Sequence, residues 1–153
     1  GGFSQVALEY GASHVYAVDV GTDQLHPSLR LDKRITLYER TDARDITPKM
    51  CPQEPSVLVM DVSFISLEKI IPTVLREIDS IFHICCLVKP QFEVGPESID
   101  KKGLVQNEGE RLRALSNVEA CLNGEGFEVI HDMEAVLAGG DGNVEYMVYA
   151  SRP

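Results

Sequence analysis

Short apolar runs alternate with helix-length amphipathic segments along this chain, and that alternation limits the folds it can adopt. Strand-length runs separated by helical patterns are typical of an α/β fold with a mostly parallel sheet. The last two runs follow each other without a helical pattern between them, which indicates an antiparallel hairpin at the sheet edge. The predicted strands cover residues 14–20, 35–39, 57–62 (a buried one), 81–88, 127–130 and 144–150, and the predicted helices cover residues 3–10, 67–78 and 108–122.

The beginning of the chain departs from this pattern. In a doubly wound sheet the first strand is central, and the loop after it carries the glycines that contact a ligand. This chain opens with Gly1-Gly2-Phe3 directly before a helical pattern, with no strand ahead of it. We therefore expect residues 1–153 to be one domain that is truncated at its N-terminus.

Charge and composition limit the partners that the chain can have. The formal net charge of -10, from 14 Lys and Arg against 24 Asp and Glu, counts against nucleic acid, because phosphate contacts need basic surface. Such a partner would require a local basic patch or a basic module outside the chain. No apolar run approaches the roughly 20 residues of a membrane-spanning helix, so we predict a cytoplasmic protein without a membrane partner. The four cysteines lack CxxC spacing and predict buried thiols in a reducing compartment, with no metal site.

Asp19 ends the predicted strand at residues 14–20 and is followed by Val20 and Gly21. An acidic residue at this point can accept hydrogen bonds from both ribose hydroxyls of an adenosine ligand, whether NAD or S-adenosylmethionine. The alternative is that Asp19 only caps the following turn.

Two longer motifs also follow strands, at the sheet edge where open α/β sheets bind ligands. The first, Asp61 to Leu67, reads DVSFISL; Ser66 could cap the next helix, but that explains neither Asp61 nor Phe64. The second reads LVKPQFEVG and contains Lys89. Lysines usually lie on solvated faces, but this one follows a mostly apolar strand, and partial desolvation would make it a usable base.

Glu145, in the segment Gly142-Asn143-Val144-Glu145, begins the last apolar strand. A carboxylate there is unfavourable unless it is paired; the alternative is an exposed residue at the edge. Because Asp61 and Lys89 end adjacent strands and Glu145 begins an antiparallel one, we predict that the three side chains converge at one edge of the sheet.

Six segments of the chain resemble the TlyA-type family of hemolysins and ribosomal RNA methyltransferases and occur in the same order as in that family. Together they span nearly the whole chain. The segments are Gly1-Gly2-Phe3, YAVDVG, Leu25 to Arg30 with Asp32, DVSFISL, LVKPQFEVG and Gly142 to Glu145. The resemblance implies a Rossmann-like methyltransferase domain of the FtsJ type, preceded in the family by a small S4 RNA-binding domain. It also implies S-adenosylmethionine as cofactor and ribose 2'-hydroxyls of ribosomal RNA, free or in a ribosomal subunit, as substrate.

The resemblance also assigns roles to residues. Of the family's Lys-Asp-Lys-Glu catalytic set it carries over Asp61, Lys89 and Glu145, whereas the first lysine would lie upstream of Gly1. Lys89 would be the base or a cation that orients the alkoxide, Asp61 would hold Lys89 and the cofactor's amino group, and Glu145 would tune the lysine or orient the ribose. The cofactor-binding residues expected on the same ground are Gly1, Gly2, Phe3, Asp19, Val20, Asp42, Ala43, Asp61 and Val62.

Two departures from the family pattern bear on these expectations. Asp42 replaces an asparagine that is frequent in relatives, so adenine would meet a carboxylate, and the segment Leu104 to Glu108 lacks the usual arginine and proline. Two rival functions remain open at this point. One is a hemolysin-type pore former, for which the sequence offers no membrane-length segment; the other is a non-catalytic protein that binds cofactor or RNA, since the chain lacks the first lysine and part of the cofactor loop.

Overall fold

The computed structural model describes residues 1–153, which divide into two compact units, Gly1–Pro55 and Ser56–Pro153. The first unit holds a pair of parallel strands, as the alternating pattern predicts. Its elements are α1 (Gly2–Glu9), β1 (Val15–Val18), α2 (Pro27–Arg30) and β2 (Ile35–Tyr38), followed by 3₁₀-helices at Ala43–Asp45 and Pro48–Met50. The Tyr38 hydroxyl donates to the carbonyl of Met50 over 2.7 Å, which ties the end of this unit to β2.

The second unit is a four-stranded mixed sheet in the order β3-β4-β6-β5, with two helices. β3 and β4 are parallel, whereas β6 runs antiparallel to both β4 and β5. The predicted C-terminal antiparallel hairpin and the α/β class are therefore confirmed. The elements are β3 (Val57–Met60), α3 (Leu67–Glu77), β4 (His83–Val88), α4 (Glu108–Gly124), β5 (Glu128–Glu134) and β6 (Tyr146–Ser151).

The core of the second unit lies between α3, α4 and one face of the sheet. The apolar residues of α3 recur at the i, i+3, i+4, i+7 and i+8 spacing of a helix with one buried face. On β4 and β6, alternate residues are fully buried because successive strand side chains point to opposite faces. The buried set includes Leu67, Ile70, Ile71, Val74 and Leu75 of α3, Val118 and Leu122 of α4, Ile84, Cys86 and Val88 of β4, and Val148 and Ala150 of β6.

The prediction that residues 57–62 form a buried strand is wrong. β3 is the edge strand of its sheet, and Val57 and Val59 are 52% and 39% exposed, whereas Met60 is buried. An apolar run by itself does not distinguish a strand that is buried on two faces from one that is buried on a single face. The four cysteines are free thiols; Cys51 and Cys86 are buried, as predicted, whereas Cys85 and Cys121 are only half-buried. Burial raises the pKa of Cys86 to about 12.

Candidate active site

Strand pairing brings Asp61, Lys89 and Glu145 to the same edge of the four-stranded sheet. β3 ends at Met60, directly before Asp61, and β4 ends at Val88, directly before Lys89. β6 pairs antiparallel with β4, and Val88 lies opposite Tyr146, the residue after Glu145. Extending this register by one residue sets Lys89 beside Glu145. The three residues therefore come together from strands that are far apart in the sequence.

Lys89 holds the centre of this cluster. Its ammonium nitrogen lies 2.8 Å from Oδ1 of Asp61 and donates to the Ser63 hydroxyl over 3.2 Å. The Lys89 side chain is 14% exposed, whereas that of Asp61 is 53% exposed. An ammonium group has three N–H donors, so one donor remains for a further acceptor at the open side of the pair.

Glu145 is the most enclosed carboxylate of the site, at 7% exposure, and Gln91 hydrogen-bonds to it. Burial raises the pKa of Glu145; nearby Asp61 and Asp141 also raise it, whereas Lys89 and Gln91 act in the opposite direction. A carboxylate with a raised pKa is a better proton acceptor near neutral pH than an ordinary glutamate.

Space for the Glu145 carboxylate depends on Gly139. A Cβ atom at this position would lie 3.1 Å from the carboxyl carbon of Glu145 and closer still to its Oε1. The N–H of Gly139 donates to the carbonyl of Asn143, which closes the loop ahead of β6. Sequence reasoning assigned no role to Gly139, although the run Gly139-Gly140 so close to Glu145 is a signal of close backbone approach.

The loop between β3 and α3 is held by Glu93, which sequence reasoning also missed. Glu93 accepts hydrogen bonds from the Ser66 hydroxyl (2.6 Å) and from the N–H of Leu67 (2.8 Å), at the start of α3. Ser66 also caps α3 by accepting from the N–H of Glu68, so the capping interpretation of Ser66 is confirmed. Burial raises the pKa of Glu93, and its two hydrogen bonds oppose that rise. The two sequence motifs are thus joined through Glu93.

Phe64, in the same loop, projects an aromatic ring into solvent. The side chain is 90% exposed, and the backbone takes a left-handed conformation with φ at 65°. The Phe64 ring is tilted against that of Phe92, with centroids 5.0 Å apart. A strained backbone and an exposed large apolar ring are both unfavourable, and such features concentrate at functional sites.

Asp19 is one of the predicted cofactor-binding residues in the first unit. Asp19 follows β1, and its Oδ1 accepts from the N–H of Gly21 over 2.8 Å, so Asp19 does stabilise the next turn. Its Oδ2 has no partner and stays open to a ligand. Val20 is exposed, and Gly1 and Gly2 are exposed beside half-buried Phe3 at the start of α1.

Asp42 is already occupied by a neighbour. Its two oxygens accept a fork of hydrogen bonds from the Arg44 guanidinium (3.0 and 2.7 Å), and Oδ1 also accepts from the N–H of Arg44. These bonds lower the pKa of Asp42 to about 2. Ala43 opens the 3₁₀-helix, so its N–H has no partner within the helix. Ala43, not the Asp42 carboxylate, therefore offers the free polar group here.

Comparison with known proteins identifies the family of this chain. The model of the FtsJ-like methyltransferase family matches residues 1–152. The chain belongs to the FtsJ-like methyltransferase family. The 16S/23S rRNA (cytidine-2'-O)-methyltransferase TlyA of Mycobacterium tuberculosis is 39% identical over 149 residues, covering 97% of this chain and 56% of the relative. Hemolysin A of Brachyspira hyodysenteriae is 37% identical over 150 residues, covering 97% of this chain and 62% of the relative.

Solved structures share the fold of this chain. A crystal structure of a hemolysin-named protein from Lactococcus lactis superposes with a TM-score of 0.92 at 36% identity, covering all of this chain and 74% of the other. Magnesium protoporphyrin IX methyltransferase from Synechocystis, solved with bound S-adenosylhomocysteine, has a TM-score of 0.62 at 11% identity and shares the fold. This FtsJ-like chain spans little more than half the length of the curated relatives. None of its helices combines the length and apolar character needed to cross a membrane.

Proposed function

We propose that this domain transfers a methyl group from S-adenosylmethionine to a ribose 2'-hydroxyl of ribosomal RNA. The observation that carries the proposal is the pairing of Lys89 with Asp61 at the ends of two adjacent parallel strands, with buried Glu145 beside them. A ribose hydroxyl is a poor nucleophile, so its methylation requires a group to orient the oxygen and another to take its proton. The cluster supplies both.

The residues present fit the proposed cofactor. Asp19 offers an open carboxylate oxygen at the end of β1, which suits a ribose hydroxyl. Ala43 offers an unpaired N–H, which suits a ring nitrogen of adenine, and we assign the adenine contact to it because Arg44 occupies Asp42. Exposed Gly1 and Gly2, with Phe3 and Val20, would line the rest of the adenosine and methionine groups. In the second unit, Asp61 and the adjacent Val62 would bind the amino group of the methionine part.

S-Adenosylmethionine, when bound, supplies a methyl group on a positively charged sulfur, which an oxygen nucleophile displaces in line. We assign to Lys89 the role of binding the nucleophile, the ribose O2'. Two of its N–H groups donate to Asp61 and Ser63, and the third remains free to donate to O2'. Held there, the ammonium group stabilises the negative charge that develops on O2'. The Asp61 carboxylate fixes the ammonium group in place. Glu145, whose pKa is raised, accepts the proton that leaves O2'.

Phe64 is assigned to the base of the target nucleotide. Proteins that recognise unpaired nucleotides of RNA commonly stack the base on an aromatic side chain. The Phe64 ring is exposed, supported by Phe92, and one residue away from Ser63, which binds Lys89. A base stacked on Phe64 would leave its ribose next to the ammonium group.

Ribosomal RNA is proposed as the substrate because relatives at 38 to 39% identity bear names of rRNA methyltransferases. The test is methyl transfer by the full-length protein, from labelled S-adenosylmethionine to 16S and 23S rRNA and to ribosomal subunits. The product is 2'-O-methylated if the labelled nucleotide resists alkaline hydrolysis. Label on a base, or no label on either RNA or on the subunits, would refute the proposal.

Lys89→Ala tests the assigned site. We expect methyl transfer to fall by roughly 100- to 10,000-fold, the range for loss of a proton-transfer or oxyanion-stabilising group, while S-adenosylmethionine affinity stays near that of the wild type. The unfolding free energy should fall by only about 1 kcal/mol, because Asp61 is half exposed and ion pairs with exposed partners contribute little to stability. Lys69→Ala, on the exposed face of α3, is the matched control. A folded Lys89→Ala protein with activity like that of the control would remove Lys89 from the mechanism.

A further inference from the structure

The loop between β4 and α4 carries a rigid turn that presents two lysines. The N–H of Asp100 donates to the carbonyl of Leu104 (2.9 Å), and the N–H of Gly103 donates back to the carbonyl of Asp100 (3.0 Å). The Asp100 carboxylate accepts from the backbone of Lys102 and Leu104 and from the side chain of Gln106, at 2.8 to 2.9 Å. Gly103 takes the left-handed φ of 82° that closes the turn. The turn is therefore built by the backbone and Asp100, and the lysine side chains take no part in it.

Both lysines are free to bind an anion. Lys101 and Lys102 are exposed, and neither ammonium group lies within ion-pair distance of a carboxylate. Most other cations of this unit are engaged: Lys89 with Asp61, Arg113 with Glu110, and Arg111 with two backbone carbonyls. Lys101 and Lys102 are also the only cations of residues 56–153 that are adjacent in sequence.

A buried amide fixes this turn to the segment that leads to Glu145. Asn143 is 2% exposed; its Nδ2 donates to the carbonyl of Gly103 (2.9 Å), and its Oδ1 accepts from the N–H of Val105 (3.0 Å). The same Nδ2 donates to Asp141 (2.8 Å), a carboxylate whose pKa is lowered chiefly by its bonds with Asn143 and, to a smaller extent, by Lys89. Asn143 and Asp141 thus connect the lysine turn with the segment that precedes Glu145, and Asp141 lies close enough to Lys89 to feel its charge.

A polyanion at this site faces an electrostatic obstacle. Asp61, Asp141 and Glu145 surround a single lysine, and the whole chain carries a net charge of -10. Binding of RNA requires cations at the phosphates. We propose that Lys101 and Lys102 bind phosphates of the RNA strand that presents the target ribose. This inference rests on the proposed function and names the surface of the domain that holds the RNA.

Salt dependence of RNA binding tests this inference directly, with the full-length protein and transcribed 16S and 23S rRNA as probes. Affinity falls as salt rises, and each lost phosphate contact makes the slope of log affinity against log salt less steep by about 0.7 to 0.9. The slope of Lys101→Gln/Lys102→Gln should therefore be less steep than that of the wild type by about 1.5. Between 50 and 200 mM salt the wild type should then lose roughly tenfold more affinity than the variant. Lys101→Arg/Lys102→Arg should keep the wild-type slope, since guanidinium also binds phosphate.

Lys69→Gln/Arg76→Gln is the matched control, because it removes the same charge from two exposed, unpaired positions of α3. The control should keep the wild-type slope. A Lys101→Gln/Lys102→Gln slope equal to that of the wild type, or an equal fall in the control, would overturn the inference. If the wild type still methylates rRNA, these two results leave the proposed function intact. A wild-type protein that neither binds nor methylates rRNA would overturn the proposed function and this inference together. Thermal melting and S-adenosylmethionine affinity should be the same in all four proteins.

Discussion

Gly139→Ala tests whether the exact position of the Glu145 carboxylate matters for methyl transfer. The added methyl group would lie 3.1 Å from the carboxyl carbon of Glu145 and 3.2 Å from Oδ1 of Asp141. Ordinary contacts between carbon atoms are about 3.5 to 4.0 Å, and the Oε1 of Glu145 is closer still. The carboxylate must therefore withdraw by roughly 1 Å.

The expected cost falls mainly on activity. A shift of about 1 Å in a catalytic group can lower a rate by about 100-fold, which equals about 2.7 kcal/mol in the activation barrier. The stability cost should be near 1 kcal/mol, at the low end for added methylene groups, because the displaced atoms are the far end of a flexible side chain. The backbone itself tolerates alanine, since Gly139 does not have a left-handed φ.

Single-turnover methylation of rRNA and thermal melting, measured on the same samples, separate the two effects. Gly140→Ala is the control, because a Cβ atom there would meet nothing within 4 Å. We expect the control to keep nearly full activity and stability. A Gly139→Ala protein that is folded and as fast as Gly140→Ala would show that the position of Glu145 does not control the rate.

Three further predictions concern other residues of the site. Phe64→Leu should weaken rRNA binding by about 5- to 150-fold, the value of one stacked base, with little change in melting temperature; equal affinity for rRNA would contradict the assignment of Phe64 to the target base. Burial raises the pKa of Glu93 in the folded state above its ordinary value of 4.5, so folding disfavours the ionised form. The unfolding free energy of the wild type, compared with that of Glu93→Gln, should therefore fall as pH rises from about 4.5 through the raised pKa. Urea unfolding from pH 4 to 8 measures this, and a difference independent of pH would refute it. Asp19→Ala should weaken S-adenosylmethionine binding in calorimetry; unchanged affinity would leave Asp19 only its bond to Gly21.

Local signals were sufficient to predict the strands and the three longer helices, but not α2 or the 3₁₀-helices. The alternation of apolar runs with helical segments predicted α3, and the apolar run of β4 predicted that Lys89 ends a strand. The fork between Asp42 and Arg44 was equally local. Its Asp-x-Arg spacing recurs at Asp32 and Arg34, which form the same bonds. The Asp-x-Arg spacing is therefore a local signal that the Asp42 carboxylate is already paired.

The sequence by itself determined the α/β class, the family resemblance and the order of the polar residues at strand ends. These features can be predicted because they depend on residues that are close in the chain, whose types and spacing are visible in the sequence. The tertiary structure alone decided that β6 lies between β4 and β5, that Glu93 accepts from the first N–H of α3, and that Asn143 holds the lysine turn. Each of these contacts joins residues 12 or more positions apart in sequence. Which such segments meet depends on how all the apolar faces are buried together, and no single segment contains that information.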